Sequence, residues 1–122
     1  TMTIANTSVP SVDYRMEIYA STDTITLGRS YKTLTVKYYN SEGTEITSDI
    51  IANKTREDYV WTCFVDNVEL TNDSFVTWRE GAEVNQKKIK LVENWDYVEK
   101  IMTIKCVTDG VTISKDFTMV GA

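Results

Sequence analysis

The sequence predicts an all-β domain, a sandwich of two antiparallel sheets with about seven to eight strands. Three observations carry that expectation. Apolar and polar side chains alternate with a period of two along most of the chain, the signature of half-buried strands. Turn residues break the alternation at short intervals, at Gly28, Gly43, Asp66-Asn67 and Asp109-Gly110, as in a sandwich and unlike strand–helix–strand units. No segment carries a helical period, save a single turn around residues 93–97.

Residues 1–11 hold the only proline, Pro10, among Thr, Asn and Ser; they read as a linker or N-terminal arm, and residues 12–122 as the domain. The opening residues have neither the basic nor the apolar stretch of a secretory signal. The first strand turns Tyr14, Met16, Ile18 and Ala20 to one face and Arg15, Glu17 and Tyr19 to the other. A short segment, 24–27, ends at Gly28, and in the next strand Leu34, Val36 and Tyr38 point inward. Asn40-Ser41-Glu42-Gly43 is a turn whose glycine supplies positive φ. Residues 44–58 are polar and irregular, anchored by Ile46 and Ile50-Ile51.

Residues 59–65 are apolar on both faces, like a central strand, and Asp66-Asn67 reverses the chain into Val68-Glu69-Leu70. Residues 75–78 and 88–92 are two further strands, and 100–108 alternates again with Met102, Ile104 and Cys106 in phase. Asp109-Gly110 is the strongest hairpin signal. In the last strand Lys115 interrupts the apolar phase of Val111, Ile113, Phe117 and Met119, which suits a guarded edge strand. The expected core is Met16, Ile18, Leu34, Val36, Trp61, Cys63, Ile89, Leu91, Met102, Ile104 and Phe117.

Composition narrows function mainly by exclusion. A chain of 122 residues supplies one hydrophobic core. Its net charge of −5 argues against a nucleic-acid partner, because phosphates demand a basic face. The Lys87-Lys88-Ile89-Lys90 cluster reads as the polar side of a strand. No apolar run approaches the roughly 20 residues of a membrane-spanning helix. Histidine is absent, which removes the commonest general base and metal ligand. Two cysteines alone do not make a structural zinc site. There is no Gly-rich phosphate loop and no nucleophile elbow, and nothing places two carboxylates in an apolar cleft. Neither catalytic residues, a metal site nor a cofactor is expected.

The order of the signals resembles bacterial immunoglobulin-like domains. Ile25-Thr26-Leu27-Gly28-Arg29-Ser30 leading into Leu34-Thr35-Val36 is similar to their opening, and Glu45-Ile46-Thr47 to the polar segment that follows. Tyr59-Val60-Trp61 resembles the aromatic-x-Trp strand whose tryptophan sits between the sheets. Residues 101–106 with Asp109-Gly110-Val111-Thr112 look like the closing hairpin. The long middle segment and the Lys105-Cys106 closing strand are similar to tail, baseplate and prophage structural proteins of Gram-positive bacteriophages.

The resemblance implies an immunoglobulin-like β-sandwich that serves, without catalysis, as a spacer or surface-attachment module of a virion structural protein. It implies other virion or cell-surface domains as partners, and a place in the phage tail or on the bacterial surface after assembly in the cytoplasm. The antibody disulfide does not carry over, since Cys63 lies two residues after Trp61 on what should be the third strand.

The alternative is a carbohydrate-binding or adhesin module that holds cell-wall polysaccharide. Trp78, Trp95 and Tyr39 are its candidate contacts, because aromatic rings present an apolar face to sugar rings. In the competing reading such aromatics merely seal the ends of a sandwich. The connector reading expects Trp78, Trp95, Tyr19 and Tyr39 to be dispersed, with at most one substantially exposed. Cys63 and Cys106 are expected on neighbouring strands as free core thiols. The acidic stretches 66–69 and 72–74 lack a regular calcium-ligand spacing and read as turns.

Overall fold

The computed structural model describes residues 14–71 and 74–122. The 1–11 arm and most of the 72–74 stretch lie outside these. Nine strands are described: β1 Tyr14–Tyr19, β2 Thr24–Thr26, β3 Lys32–Asn40, β4 Val60–Val65, β5 Val68–Leu70, β6 Val76–Glu80, β7 Gln86–Leu91, β8 Ile101–Thr108 and β9 Val111–Val120. One sheet runs β1-β3-β7-β6 and the other β2-β9-β8-β4-β5. The two shortest, β2 and β5, are three-residue edges that correspond to the segments 24–27 and 68–70 of the sequence.

All neighbours are antiparallel except β2, which runs parallel to the end of β9 through Met119↔Ile25. That pairing arises because the chain changes sheets after β1. Tyr19 still pairs with Thr35 of β3, whereas Thr24 already pairs with Thr118.

Alternation supplies the interior. Ile18, Leu34, Val36, Tyr38, Val76, Ile89 and Leu91 descend from one sheet and meet Ile25, Cys63, Val65, Met102, Ile104, Cys106, Phe117 and Met119 from the other; all are buried. Two members of the expected core fall short of full burial. Met16 is half-buried; among the described residues β1 is an edge strand, paired only with β3. Trp61 faces inward opposite Cys106, but at the first turn of β4. There it borders a cavity of about 210 Å³ with Arg56, Val84 and Lys87 instead of filling the centre.

Both tight hairpins form as their sequences require. Asp66 and Asn67 adopt φ of 54° and 65°, and Asp109 and Gly110 adopt 55° and 73°, the doubly left-handed turn that matches strand twist. Asp66 also binds Lys100 at 2.6 Å. Cys63 lies opposite Ile104, and Cys106 opposite Trp61. The two thiols are therefore diagonal neighbours rather than a facing pair, beyond the Cβ separation of about 3.5–4.5 Å that a disulfide needs. Both are free and buried, and burial pushes the Cys106 thiol up to about 12.

Residues 44–58 are more ordered than their composition suggests. They contain α1, Thr47–Ile51, and a 3-10 turn, Arg56–Asp58. Ile46, Ile50 and Ile51 pack on the core. The Asp58 carboxylate caps the Thr55 N–H at 2.8 Å.

Lys115 does not lie on an outer strand, since β9 sits between β2 and β8. Yet β2 covers only Thr118–Val120 of β9, so Lys115 occupies the stretch beyond it and binds Asp23 at 2.8 Å.

Candidate functional site

The exterior of the four-stranded sheet is built by the same alternation that fills the core. With Ile18, Leu34, Val36, Ile89 and Val76 turned inward, their neighbours Arg15, Tyr19, Lys37, Tyr39, Lys88, Lys90 and Arg79 are turned out. Cations and rings interleave on this surface. The Arg15 guanidinium lies 4.5 Å from the centre of the Tyr39 ring, its direct cross-strand partner. The Lys37 ammonium lies 3.8 Å from that of Tyr19. Arg79 and Lys90 approach Tyr31 to 4.7 and 5.8 Å. Such contacts contribute about 0.5–1 kcal/mol each at exposed sites and fix the rings.

Between Tyr19 and Tyr31 lies a cleft of about 560 Å³. It opens where β1 and β2 part company to join different sheets. Thr22, Thr24 and Thr26 line it from one side of that crossover, and Lys32, Thr33 and Thr35 from the other, with Arg29 and Gln86. Lys32 donates to Thr22 Oγ1 at 2.6 Å, and Gln86 Nε2 donates to Thr35 Oγ1 at 3.2 Å. Partial burial holds the Lys32 ammonium below its usual range, against the opposing pull of Asp23. The Arg29 side chain is exposed and has no hydrogen-bond or ion-pair partner among the described residues. None of the lining residues is a carboxylate.

A second polar group sits at the opposite pole and does structural work. Tyr38 and Tyr59 share a buried hydroxyl–hydroxyl hydrogen bond of 2.7 Å, and Tyr14 donates to Asp109 at 2.7 Å. Lys54 also binds Asp109. These contacts tie β1, the α1 segment and the β8–β9 hairpin together. The hydrogen bonds from Lys54 and Tyr14 hold the Asp109 carboxyl below the usual range. Burial pushes the Tyr38 and Tyr59 phenols up.

The structure separates the three candidate aromatics. Tyr39 lies half-buried on the outer face beneath Arg15. Trp78 is on the inner side of the same sheet, opposite Ile89 and packed against the core. Trp95 stands in a 3-10 turn after β7 and is 81% exposed. Asn94 caps that turn at Asp96 N, and Tyr97 stacks on Phe75 at 4.3 Å, so Trp95 is the member left to solvent. Tyr19 is 45% exposed. Two of the four aromatics are thus substantially exposed where at most one was expected, because the crossover after Tyr19 uncovers that ring. Sequence reasoning missed Arg29, Tyr31 and Lys32. Their only signal was proximity to the Gly28 break, which does not reveal a crossover.

Among the described residues no helix is long and apolar enough to cross a membrane, and no three His, Cys, Asp or Glu side chains gather to hold a metal.

No protein-family model and no curated protein sequence matches the chain. Solved structures do. The trigonal form of titin M4 superposes with a TM-score of 0.56 at 10% identity, over 89% of this chain and 95% of that one. The twitchin kinase region from C. elegans gives 0.55 at 13% identity, over 89% of this chain and 16% of that much longer one. A chimeric titin Z1Z2 functionalized with a KLER exogenous peptide from decorin gives 0.52 at 8% identity, over 88% and 98%. At such identities the likeness shows the fold alone. The sheet order agrees: β1-β3-β7-β6 corresponds to the A-B-E-D sheet and β9-β8-β4 to G-F-C. The chain is an immunoglobulin-like β-sandwich.

Proposed function

We propose that this chain is a non-catalytic spacer or surface-attachment module of a bacteriophage tail or other virion structural protein, with residues 1–11 as its connecting arm. The observation that carries the reading is the placement of the two ends of the fold. Tyr14, at the start of β1, reaches Asp109 of the β8–β9 hairpin. β9 then runs its 10 residues away from that hairpin to Val120, which accepts from Leu27 N at the far pole. The start of β1 and the end of β9 thus lie at opposite poles of the described domain, roughly 30 Å apart along the strand. That is the geometry of a module strung in line. The shifted ionisable groups support the non-catalytic part, for each is accounted for by burial or by a structural hydrogen bond or ion pair.

Proteomics of purified virions from induced lysogens of the source bacterium tests this reading. Peptides of this chain in the tail fraction are the expected result. Their absence from virions and recovery from the cell-wall fraction would overturn it. That outcome would favour a second reading, an adhesin or carbohydrate-binding module of a cell-surface protein, for which the exposed Trp95 and Tyr19 speak.

A further inference from the structure

We propose that the cleft between Tyr19 and Tyr31 is a binding site for an acidic glycan, a chain of sugar or polyol units carrying carboxylate or phosphate groups. This goes beyond the spacer reading and stands or falls separately from it.

Charge is the first argument. The chain carries a net −5, yet Arg29 and Lys32 line this cleft with no carboxylate among the lining residues. Lys37 stands behind the Tyr19 ring, and Arg79 and Lys90 behind the Tyr31 ring. The nearby Asp23 is occupied by Lys115 at 2.8 Å. Lys37 is paired with Glu45 at 3.7 Å, so the charge that the lining itself offers an incoming anion is that of Arg29 and Lys32, with no carboxylate among the lining residues. Arg29 offers a planar fork of donors that is unengaged among the described residues, the geometry that carboxylates and phosphates accept.

Shape and polarity specify the rest. The volume of about 560 Å³ is that of a small-ligand site. Threonine hydroxyls at positions 22, 24, 26, 33 and 35 line it; each both donates and accepts, which complements a hydroxyl-rich ligand and poorly suits an apolar one. The tyrosine rings, already clamped by their cations, supply rigid apolar walls with little further entropy to lose. Five threonine hydroxyls against two ring walls make a lining that favours a hydroxyl-rich chain over stacked bases. A glycan fits better than a single-stranded nucleic acid.

Calorimetric titration of the full chain decides the matter. The probes are tetragalacturonate, a glycerol-phosphate oligomer, neutral maltotetraose and oligo-thymidylate at matched ionic strength. At least one acidic glycan should bind saturably, and which one does identifies the anionic group. Its affinity should fall about tenfold in Arg29→Gln, the loss of one charge-assisted contact. Lys32→Gln should act in the same direction, while Arg29, exposed and with no side-chain partner among the described residues, is the variant least able to disturb folding. Maltotetraose should bind at least about tenfold more weakly than the acidic probe. Absence of saturable binding by either acidic glycan would overturn the proposal, as would equal affinity for maltotetraose. So would tighter binding of oligo-thymidylate, or an affinity unchanged in Arg29→Gln. None of these results bears on whether the chain is found in virions.

Discussion

The two sheets share one interior and differ on their exteriors. Outward from the four-stranded sheet point Arg15, Lys37, Lys88, Lys90 and Arg79, interleaved with Tyr19, Tyr39 and the Glu17 carboxylate that pairs with Arg15. Outward from the five-stranded sheet point Thr62, Thr103, Thr112 and Ser114, the exposed Val60, Val107 and Ile101, and one cation–ring pair, Lys105 4.6 Å from the centre of the Phe64 ring. Strand geometry does not explain the difference, because both sheets alternate in the same way. The inward phase is fixed by the need to bury apolar surface, which leaves the outward phase free to carry something else. On one sheet it carries mainly small and aliphatic residues with a single ring, Phe64, under Lys105; on the other it carries several cations set against tyrosine rings, beside a cleft of about 560 Å³.

That contrast can be broken or sharpened by experiment. If the interior belongs equally to both sheets, Phe117→Ala in β9 should cost about 3–5 kcal/mol and Leu34→Ala in β3 about 2–5 kcal/mol, through cavity formation. Urea midpoints should fall with unchanged m-values. A small loss from either would show that its sheet is merely attached. Trp61→Ala should cost less than Phe117→Ala, about 2 kcal/mol, because the half-buried ring already borders a cavity.

Next in size is the buried tyrosine pair that links β3 to the start of β4. Tyr59→Phe strands the Tyr38 hydroxyl and should cost about 1–3 kcal/mol, whereas the Tyr38→Phe/Tyr59→Phe double variant should recover much of that loss. A double variant as unstable as the sum of the singles would refute the coupling.

The Asp109 contacts should then appear as a pH effect. The folded-state ionisation of Asp109 is depressed. Its contribution is therefore fully present above the unfolded value near pH 4 and is lost as pH falls through the lower folded value. Asp109→Asn should be less stable than the parent at pH 7, with the gap closing on acidification toward pH 2. A gap that persists unchanged in acid would assign the effect to something other than the carboxylate.

The smallest effects test the exteriors directly. Arg15→Ala should cost about 0.5–1 kcal/mol through the lost Tyr39 contact. Ser114→Lys on the other sheet should stay within about 0.5 kcal/mol of the parent. Equal small effects on both faces would erase the energetic side of the contrast.

Much of the interior was legible from the order of residues. Leu34, Val36, Ile89, Met102 and Ile104 lie where alternation puts them, and Asp66-Asn67 and Asp109-Gly110 form the reversals their composition demands. These are local rules, because a strand period and a left-handed turn depend on neighbours a few residues apart. Met16 and Trp61 escaped full burial because burial also depends on how near a residue lies to an edge or a pole, which alternation does not record. The segment 44–58 looked irregular because its three isoleucines act as anchors only against a core that distant strands create.

The cleft lies wholly on the tertiary side of this division. The chain by itself determined that Tyr19, Lys37 and Lys90 would point outward. Only the fold decided that β1 and β2 would join different sheets, so that Thr22 and Thr24 face Lys32 and Thr35 across an opening flanked by Tyr19 and Tyr31. The physical reason is that side-chain direction is set by local backbone geometry. The partner each strand takes is instead set by burial summed over both sheets, and no short window of sequence contains that sum.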